Sequence, residues 1–555
     1  MKVFKIALKA GVVAGLMSSS AFAQSLADAK KAIDAEQFQQ AKTTLKRLIA
    51  AQPGNAENYY FLGRVYLHDE YVDSAKTTFS KGVSANEKEA LNYIGLGSVD
   101  LLSKNAAAAK SNFDKAIGLA SRKDNDPYIY VAKAYISAPK PDYEAAVPLL
   151  EKAKSMDEKD AEVYLALGDA YRGLKRNSDA YSAYRTAFDL DKNMLRAKVE
   201  LGVINKLAKA FEQSATDFNS VVASSPNYAP AYRELAETYL QWSFGAPSPD
   251  KENRLKLALD NYKKYLDLTD RSLESRMRFA DFLVYASDWK TLEQEAQAMS
   301  TQADANPRIY RYLAISAFEN GNYAGSIKAM KDFMAKVEAD RLIPLDHLYL
   351  GKAQFRAGDP AAFENLSKAV ELDSTFAEEM RTWAAAAFKE KKYGEAGQLY
   401  ELAIKSPKAT LQDRFNIGFS YYWDYATRLN ANEKPEKSNL VKADSAFAYV
   451  ARYAPNVSDA PLFRARINKI LDDDKNPKGL MVPHYEQFIK VVSEKPENLT
   501  DARYKKALAE AYNNLGAFHL KSNPAKAKEY FGKSLSVDPS NSYASDVLKQ
   551  LGGGK

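Results

Sequence analysis

Apolar side chains return every three or four residues in short blocks, as in Tyr164, Leu167 and Tyr171, or Ala180, Tyr184 and Ala187. That interval gathers each set on one face of an amphipathic helix. Polar pieces such as Lys175-Arg176-Asn177-Ser178-Asp179 separate the blocks and leave room only for a tight turn between two antiparallel helices. The paired blocks then repeat. Gly63 and Gly97 stand 34 residues apart, and 34 before Gly63 is Ala29. Gly168, Gly202 and Ala236 keep the interval, as do Ala280 with Ala314 and Ala384 with Gly418. Ala132, Gly351, Ala465 and Gly516 complete a series of 14 positions, all Gly or Ala.

Twelve residues after the small position, with small shifts where a loop has grown, comes a second one, such as Ala75, Ala109 or Ala180. A bulky residue follows four further on. It is aromatic in nine of 14 units: Phe79, Phe113, Tyr184, Phe218, Tyr262, Tyr400, Phe447, Tyr485 and Phe531. At 12% aromatic content fewer than two would be expected. Pro53, Pro226, Pro455 and Pro539 punctuate unit ends, where a missing N–H stops a helix. The small residue lets two helices approach and the aromatic fills the gap between units, so each unit buries its apolar face on its neighbours.

This pattern resembles the tetratricopeptide repeat (TPR) over nearly all of residues 24–540, about 14 units. It is strongest around 56–89, 90–123, 161–194 and 195–228. It is weaker around 458–495 and around 273–306, where Trp289, Leu292 and Ala296 break the small-large alternation. The resemblance implies an all-α solenoid, a right-handed superhelix whose inner groove is lined by the first helices. Three connections are enlarged, near 241–253, 422–439 and 471–479. Trp242, Phe244, Tyr422 and Trp423 are expected on the surface of the first two, as insertion-borne binding residues. The acidic turn Asp472-Asp473-Asp474 reads as solvation. Residues 541–551 are expected to form a capping helix, followed by a flexible tail to Lys555. Whether the array is one body or two hinged near 240–272 stays open.

Composition narrows the chemistry. The chain has 555 residues, no cysteine and a net charge of +7. Without cysteine there are no disulfides, thiolate metal sites or cysteine nucleophiles. Residues 1–23 carry a basic start (Lys2, Lys5), an apolar stretch from Gly11 to Met17 and a small-residue exit, Ala21-Phe22-Ala23. This is the layout of a cleavable signal peptide, with cleavage expected between Ala23 and Gln24. Export follows, most plausibly to a periplasm, and the missing exit cysteine excludes a lipoprotein. Loss of Lys2, Lys5 and Lys9 leaves +4, too mild and dispersed for nucleic acid. No window is long and apolar enough to span a bilayer. The four histidines, His68, His347, His484 and His519, form no His-x-x-x-His pair, and Gly532-Lys533-Ser534 lacks the glycine and strand of a phosphate loop. No catalytic constellation or cofactor motif is visible, and the expectation is a non-enzymatic protein without cofactor.

Under the geometry that the resemblance implies, first-helix positions near each small residue face the groove. They include Tyr60, Arg64, Tyr130, Lys133, Arg233, Glu237, Arg311, Tyr312, Tyr349, Lys352, Arg381, Phe415, Asn416 and Phe419. As a set their aromatic-basic character suits a protein or extended-peptide partner. The resemblance implies an interaction scaffold, with an envelope assembly or secretion complex as the expected setting. A glycan or peptidoglycan binder is the alternative, with the same aromatics as stacking platforms. Some relatives grip a C-terminal carboxylate through Lys, Asn and Arg on successive repeats; Asn514 fits one position, but the set is incomplete. Oligomeric state is not readable.

Overall fold

The computed structural model describes residues 25–245, 249–302 and 306–552; the expected signal peptide, residues 1–23, and the tail 553–555 lie outside them. Among the described residues there are 29 α-helices and no strand. The chain divides into two compact units, the first ending at Met299 and the second starting at Ser300. The first holds eight helix pairs: α1 (Leu26–Asp34) with α2 (Phe38–Ala51), α3 (Ala56–His68) with α4 (Val72–Ala85), α5 (Ala90–Leu102) with α6 (Ala106–Leu119), α7 (Asp126–Ile136) with α8 (Tyr143–Met156), α9 (Ala161–Gly173) with α10 (Asn177–Leu190), α11 (Leu195–Leu207) with α12 (Phe211–Ser224), α13 (Ala229–Ser243) with α14 (Lys251–Leu268), and α15 (Leu273–Ala286) with α16 (Trp289–Ser300). The second holds six: α17 (Arg308–Glu319) with α18 (Tyr323–Lys336), α19 (Pro344–Ala357) with α20 (Ala362–Leu372), α21 (Ala377–Lys389) with α22 (Tyr393–Ala403), α23 (Leu411–Asn430) with α24 (Ser438–Tyr453), α25 (Asp459–Leu471) with α26 (Val482–Ser493), and α27 (Ala502–His519) with α28 (Pro524–Val537). A final helix, α29 (Ser542–Gly552), covers the open face of α28 with Ala544, Val547, Leu548 and Leu551 around Ala527 and Phe531. The 14 pairs and the cap follow the sequence period. The division falls at the end of α16, in the repeat whose alternation is weakest, and not near 240–272.

The glycines and aromatics of the sequence pattern meet inside four helix pairs of the first unit. A Cβ placed on Gly97 would lie 2.4 Å from the Phe113 ring, one on Gly168 2.4 Å from Tyr184, and one on Gly202 2.6 Å from Phe218. Phe79 is clasped twice, since a Cβ on Gly63 or on Gly95 of the next unit would lie 2.3 Å from it. These rings are fully buried.

The turn between paired helices uses a device that the sequence hides. Glu36, Glu70 and Lys104, and later Lys175 and Lys209, recur every 34 residues with φ of 59–63°. In this left-handed conformation the next N–H bonds back across the helix end: Tyr71 to the Tyr66 carbonyl, Asn105 to Asp100 and Arg176 to Tyr171, each at 2.8 Å. Glycine normally supplies that conformation, and a side chain there costs about 1–2 kcal/mol.

Two expectations about the enlarged connections change. Helix α23 runs unbroken for 20 residues to Asn430, so Tyr422 and Trp423 sit on a helix and the connection shrinks to 431–437. The apolar stripe of Phe415, Phe419, Tyr422 and Tyr425 continues past the usual helix end and carries the helix with it. Asp472 is not solvating but buried. Its carboxylate accepts N–H bonds from Asp473 (2.9 Å), Lys478 (2.9 Å), Gly479 (2.8 Å) and Leu480 (3.0 Å), and so shapes the loop before α26. Burial alone would raise its pKa, but these N–H groups outweigh that and hold it below the usual carboxylate value.

Phe113→Ala should destabilise the first unit by about 3–5 kcal/mol in urea unfolding. Lys104→Gly should stabilise it by up to about 1 kcal/mol, since it removes left-handed strain. Asp472→Ala should cost the second unit about 2–3 kcal/mol. The wild-type contribution is full above the unfolded pKa near 3.8 and lost as pH falls through the lower folded value, so unfolding followed between pH 6 and pH 2 should show the two proteins converging.

Candidate functional site

The first helices do present the expected residues, but most of their charges are matched within the solenoid. Lys133 pairs with Glu162 at the start of the next first helix, and Lys352 pairs with Glu379 at 2.7 Å in the same relation. Arg311 holds Asp346 through two bonds of 2.7 and 2.9 Å, and Arg381 holds Asp413 at 2.7 and 3.0 Å while also reaching Glu378. Asp346 and Asp413 are themselves buried, each accepting a backbone N–H that caps its helix. Burial would raise the Asp413 pKa, but Arg381 and Thr410 more than offset it and leave the carboxyl below its ordinary value. Arg233 pairs with Glu36 and Glu234, and Glu237 takes Arg278 at 2.6 and 2.7 Å. Two bonds from one guanidinium to a buried carboxylate fix the register of neighbouring helices. Arg64 is exposed, and among the described residues it has no carboxylate within ion-pair distance.

The aromatic candidates divide. Tyr60 and Tyr312 are buried, and Tyr349 is half-buried with its hydroxyl donating to Glu319 at 2.9 Å. Asn416 accepts from Gln412. Trp242 is half-buried, packed with Phe211 and Tyr239 under the Arg254 guanidinium, 4.2 Å from the ring centre. Tyr422 leans on Phe463 at 5.1 Å. Phe244 (55% exposed) and Trp423 (37% exposed) remain at the surface.

In the first unit the chain comes back upon itself. The α1–α2 turn meets α13 and α14: the Glu36 carboxylate pairs with Arg233 and accepts from the Tyr265 hydroxyl at 2.9 Å, and the Gln39 N–H donates to Asp270 at 2.9 Å. Ala35 packs among Val199, Val203 and Tyr228. The concave side thereby becomes a chamber of about 950 Å³ whose wall includes Tyr60, Arg64, Tyr130, Lys133, Arg196 and Arg233. Burial raises the Asp34 and Glu200 pKa values there.

The second unit has a concave cavity of about 460 Å³ formed by α23, α25, α26 and α27. Its floor is aromatic: Phe419 lies 5.8 Å from Phe415 and 5.3 Å from Phe463. Arg466 with Glu510 (2.6 Å) and Arg503 with Asp459 (2.6 Å) flank the floor, beside exposed Lys506. Phe415 and Phe419 were expected to face the groove. Phe463 and Arg466 were not singled out, although the same counting from Ala465 reaches both. Arg503 and Lys506 come from the extra first turn of α27, beyond that rule. Among the described residues no three His, Cys, Asp or Glu side chains form a metal-binding group.

Family models described as tetratricopeptide repeat match residues 32–93 and 161–194. No curated protein matches the chain. Among solved structures, the C-terminal part of a TPR repeat-containing protein from Cytophaga hutchinsonii is 26% identical over 49% of this chain and 99% of that one, with a TM-score of 0.27. YrrB, described as a TPR protein with an unusual peptide-binding site, is 18% identical over 34% of this chain and 95% of its own, with a TM-score of 0.22. PilF of Pseudomonas aeruginosa is 17% identical over 43% of this chain and 100% of its own, with a TM-score of 0.33. The family matches, with helix pairs locked by a ring on a glycine, establish that this chain carries tetratricopeptide repeats in an all-α solenoid.

Proposed function

We propose that the protein is an exported, non-enzymatic scaffold that holds an extended polypeptide in the concave face of its second unit. The observation that carries this reading is the aromatic floor of Phe415, Phe419 and Phe463, laid across two first helices and rimmed by Arg466, Arg503 and Lys506. Aromatic area supplies affinity, and a rim of directed donors orients a main chain or acidic side chains. In the first unit, by contrast, the α1–α2 turn reaches across to α13 and α14. Among the described residues no helix is long and apolar enough to cross a membrane. The basic-apolar-small order of residues 1–23 supports export to the periplasm, where the partner would be an envelope component.

The test is crosslinked recovery from envelope preparations, comparing wild type with Phe415→Ala/Phe419→Ala and with Arg503→Glu/Lys506→Glu. A polypeptide recovered near one-to-one with wild type, and weakened about tenfold or more by both variants, is the expected result. The rim variant removes the exposed Arg503–Asp459 pair but no buried contact, so loss of recovery with urea unfolding like the wild type's marks lost binding and not lost folding. Recovery of oligosaccharide in place of polypeptide would overturn the reading in favour of a glycan binder. Edman sequencing of the mature protein should begin at Gln24.

A further inference from the structure

The chamber of the first unit is a different kind of site. Its wall charges nearly cancel in pairs: Arg172 with Glu200 at 3.1 Å, Arg196 with Asp169 at 2.6 Å, Lys206 with Glu234, and Arg233 with Glu36. Lys133 is matched by Glu162. Asp34, whose pKa burial raises, and Arg64 are the wall charges outside these pairs. Arg64 is the cation of the two. Among the described residues it has no carboxylate partner, and it lies over the buried Tyr60 ring, 6.0 Å from the centre, inside the chamber wall. Tyr60 meets Tyr130 edge-on at 5.5 Å, and the Lys133 ammonium lies 5.2 Å from the centre of the Tyr130 ring. Burial, together with Arg64 and Arg196, pushes the Lys133 pKa down to about 7, against the opposing pull of Asp169 and Asp34. A chamber of about 950 Å³ also matches the volume of sites that enclose small molecules, ~300–1,000 Å³.

We propose that this chamber binds a small organic anion, its carboxylate or phosphate held by the Arg64 guanidinium and its apolar body against Tyr130. A planar guanidinium offers two parallel donors to either anion, and the adjoining aromatic rings give an apolar body a surface to lie on. The contacts of Glu36 with Arg233 and Tyr265, and of Gln39 with Asp270, tie the first helix pair to the seventh and ring the chamber with protein. That closure favours a small ligand over a polypeptide.

The test is calorimetric titration of the full chain at low ionic strength with phenyl phosphate and with benzoate, which join one ring to each kind of anion. Binding of either probe, weakened about tenfold or more by Arg64→Ala, is expected. Arg64→Lys should restore only part of it, because an ammonium lacks the two-pronged geometry. Arg64 is exposed and outside the ion pairs, so both variants should unfold as the wild type does. Phe415→Ala/Phe419→Ala should leave this binding intact, which separates it from the polypeptide reading. Failure of both probes to bind overturns the proposal. So does affinity unchanged in Arg64→Ala, or Arg64-dependent binding of an acidic peptide alone.

Discussion

The structure depends on an aromatic ring occupying the space where a Cβ would otherwise stand. Where the first helix carries Gly63, Gly97, Gly168, Gly202, Gly418 or Gly516, the second helix drives its ring into that spot, and the two backbones approach only as far as the ring allows; at Gly351 Leu366 takes the ring's place. The pairing outlasts changes in chain length. In the strongest units the ring follows its glycine by 16 residues, as Gly97 and Phe113. Where a longer helix and a loop intervene, Gly418 still receives Phe447, 29 residues on, with the ring 2.8 Å from a Cβ built on the glycine. Loops absorb the difference because lengthening them costs little, whereas losing the ring opens a cavity.

That rule is why the helix pairs, the cap and the places of Phe415 and Phe419 were legible from the residues alone: each is a local pattern repeated until chance is excluded. What stayed hidden depends on partners far away in the chain or on conformation that composition disguises. Asp472 looks like one acid in a polar turn until four N–H groups converge on it. Tyr422 and Trp423 look like loop residues because the period slips there, yet the apolar stripe extends the helix. Glu36 and Lys104 occupy positions where glycine would announce a left-handed turn, and charged residues do not. The aromatic and basic residue types of the proposed lining are plain in the sequence. The lining's charge balance was not visible, because Asp346 and Asp413 belong to the next repeat.

The pairing of charges between successive first helices also changes what the lining means. A guanidinium held by two bonds to a buried carboxylate adds little net stability over an apolar contact, but leaving the carboxylate alone is costly. Arg311 with Asp346 and Arg381 with Asp413 therefore act as keys that admit one register of neighbour on neighbour. Among the cations that line the two cavities, those outside ion pairs are Arg64 in one unit and Lys506 beside the aromatic floor in the other.

A stack of repeats ordinarily behaves as a one-dimensional chain in which each member knows only its neighbours, and its ends fray first. The contacts of Glu36 and Gln39, across 197 to 231 residues of sequence, remove the first unit from that class. Its N-terminal pair is no longer an end. Opening that pair must also release α13 and α14, so fluctuations that would stay local in an open stack become collective. The same closure raises the mean sequence separation of contacts, and with it the time the unit needs to reach its final form. A handful of polar contacts at one turn thus converts a modular array into a body with a single cooperative transition.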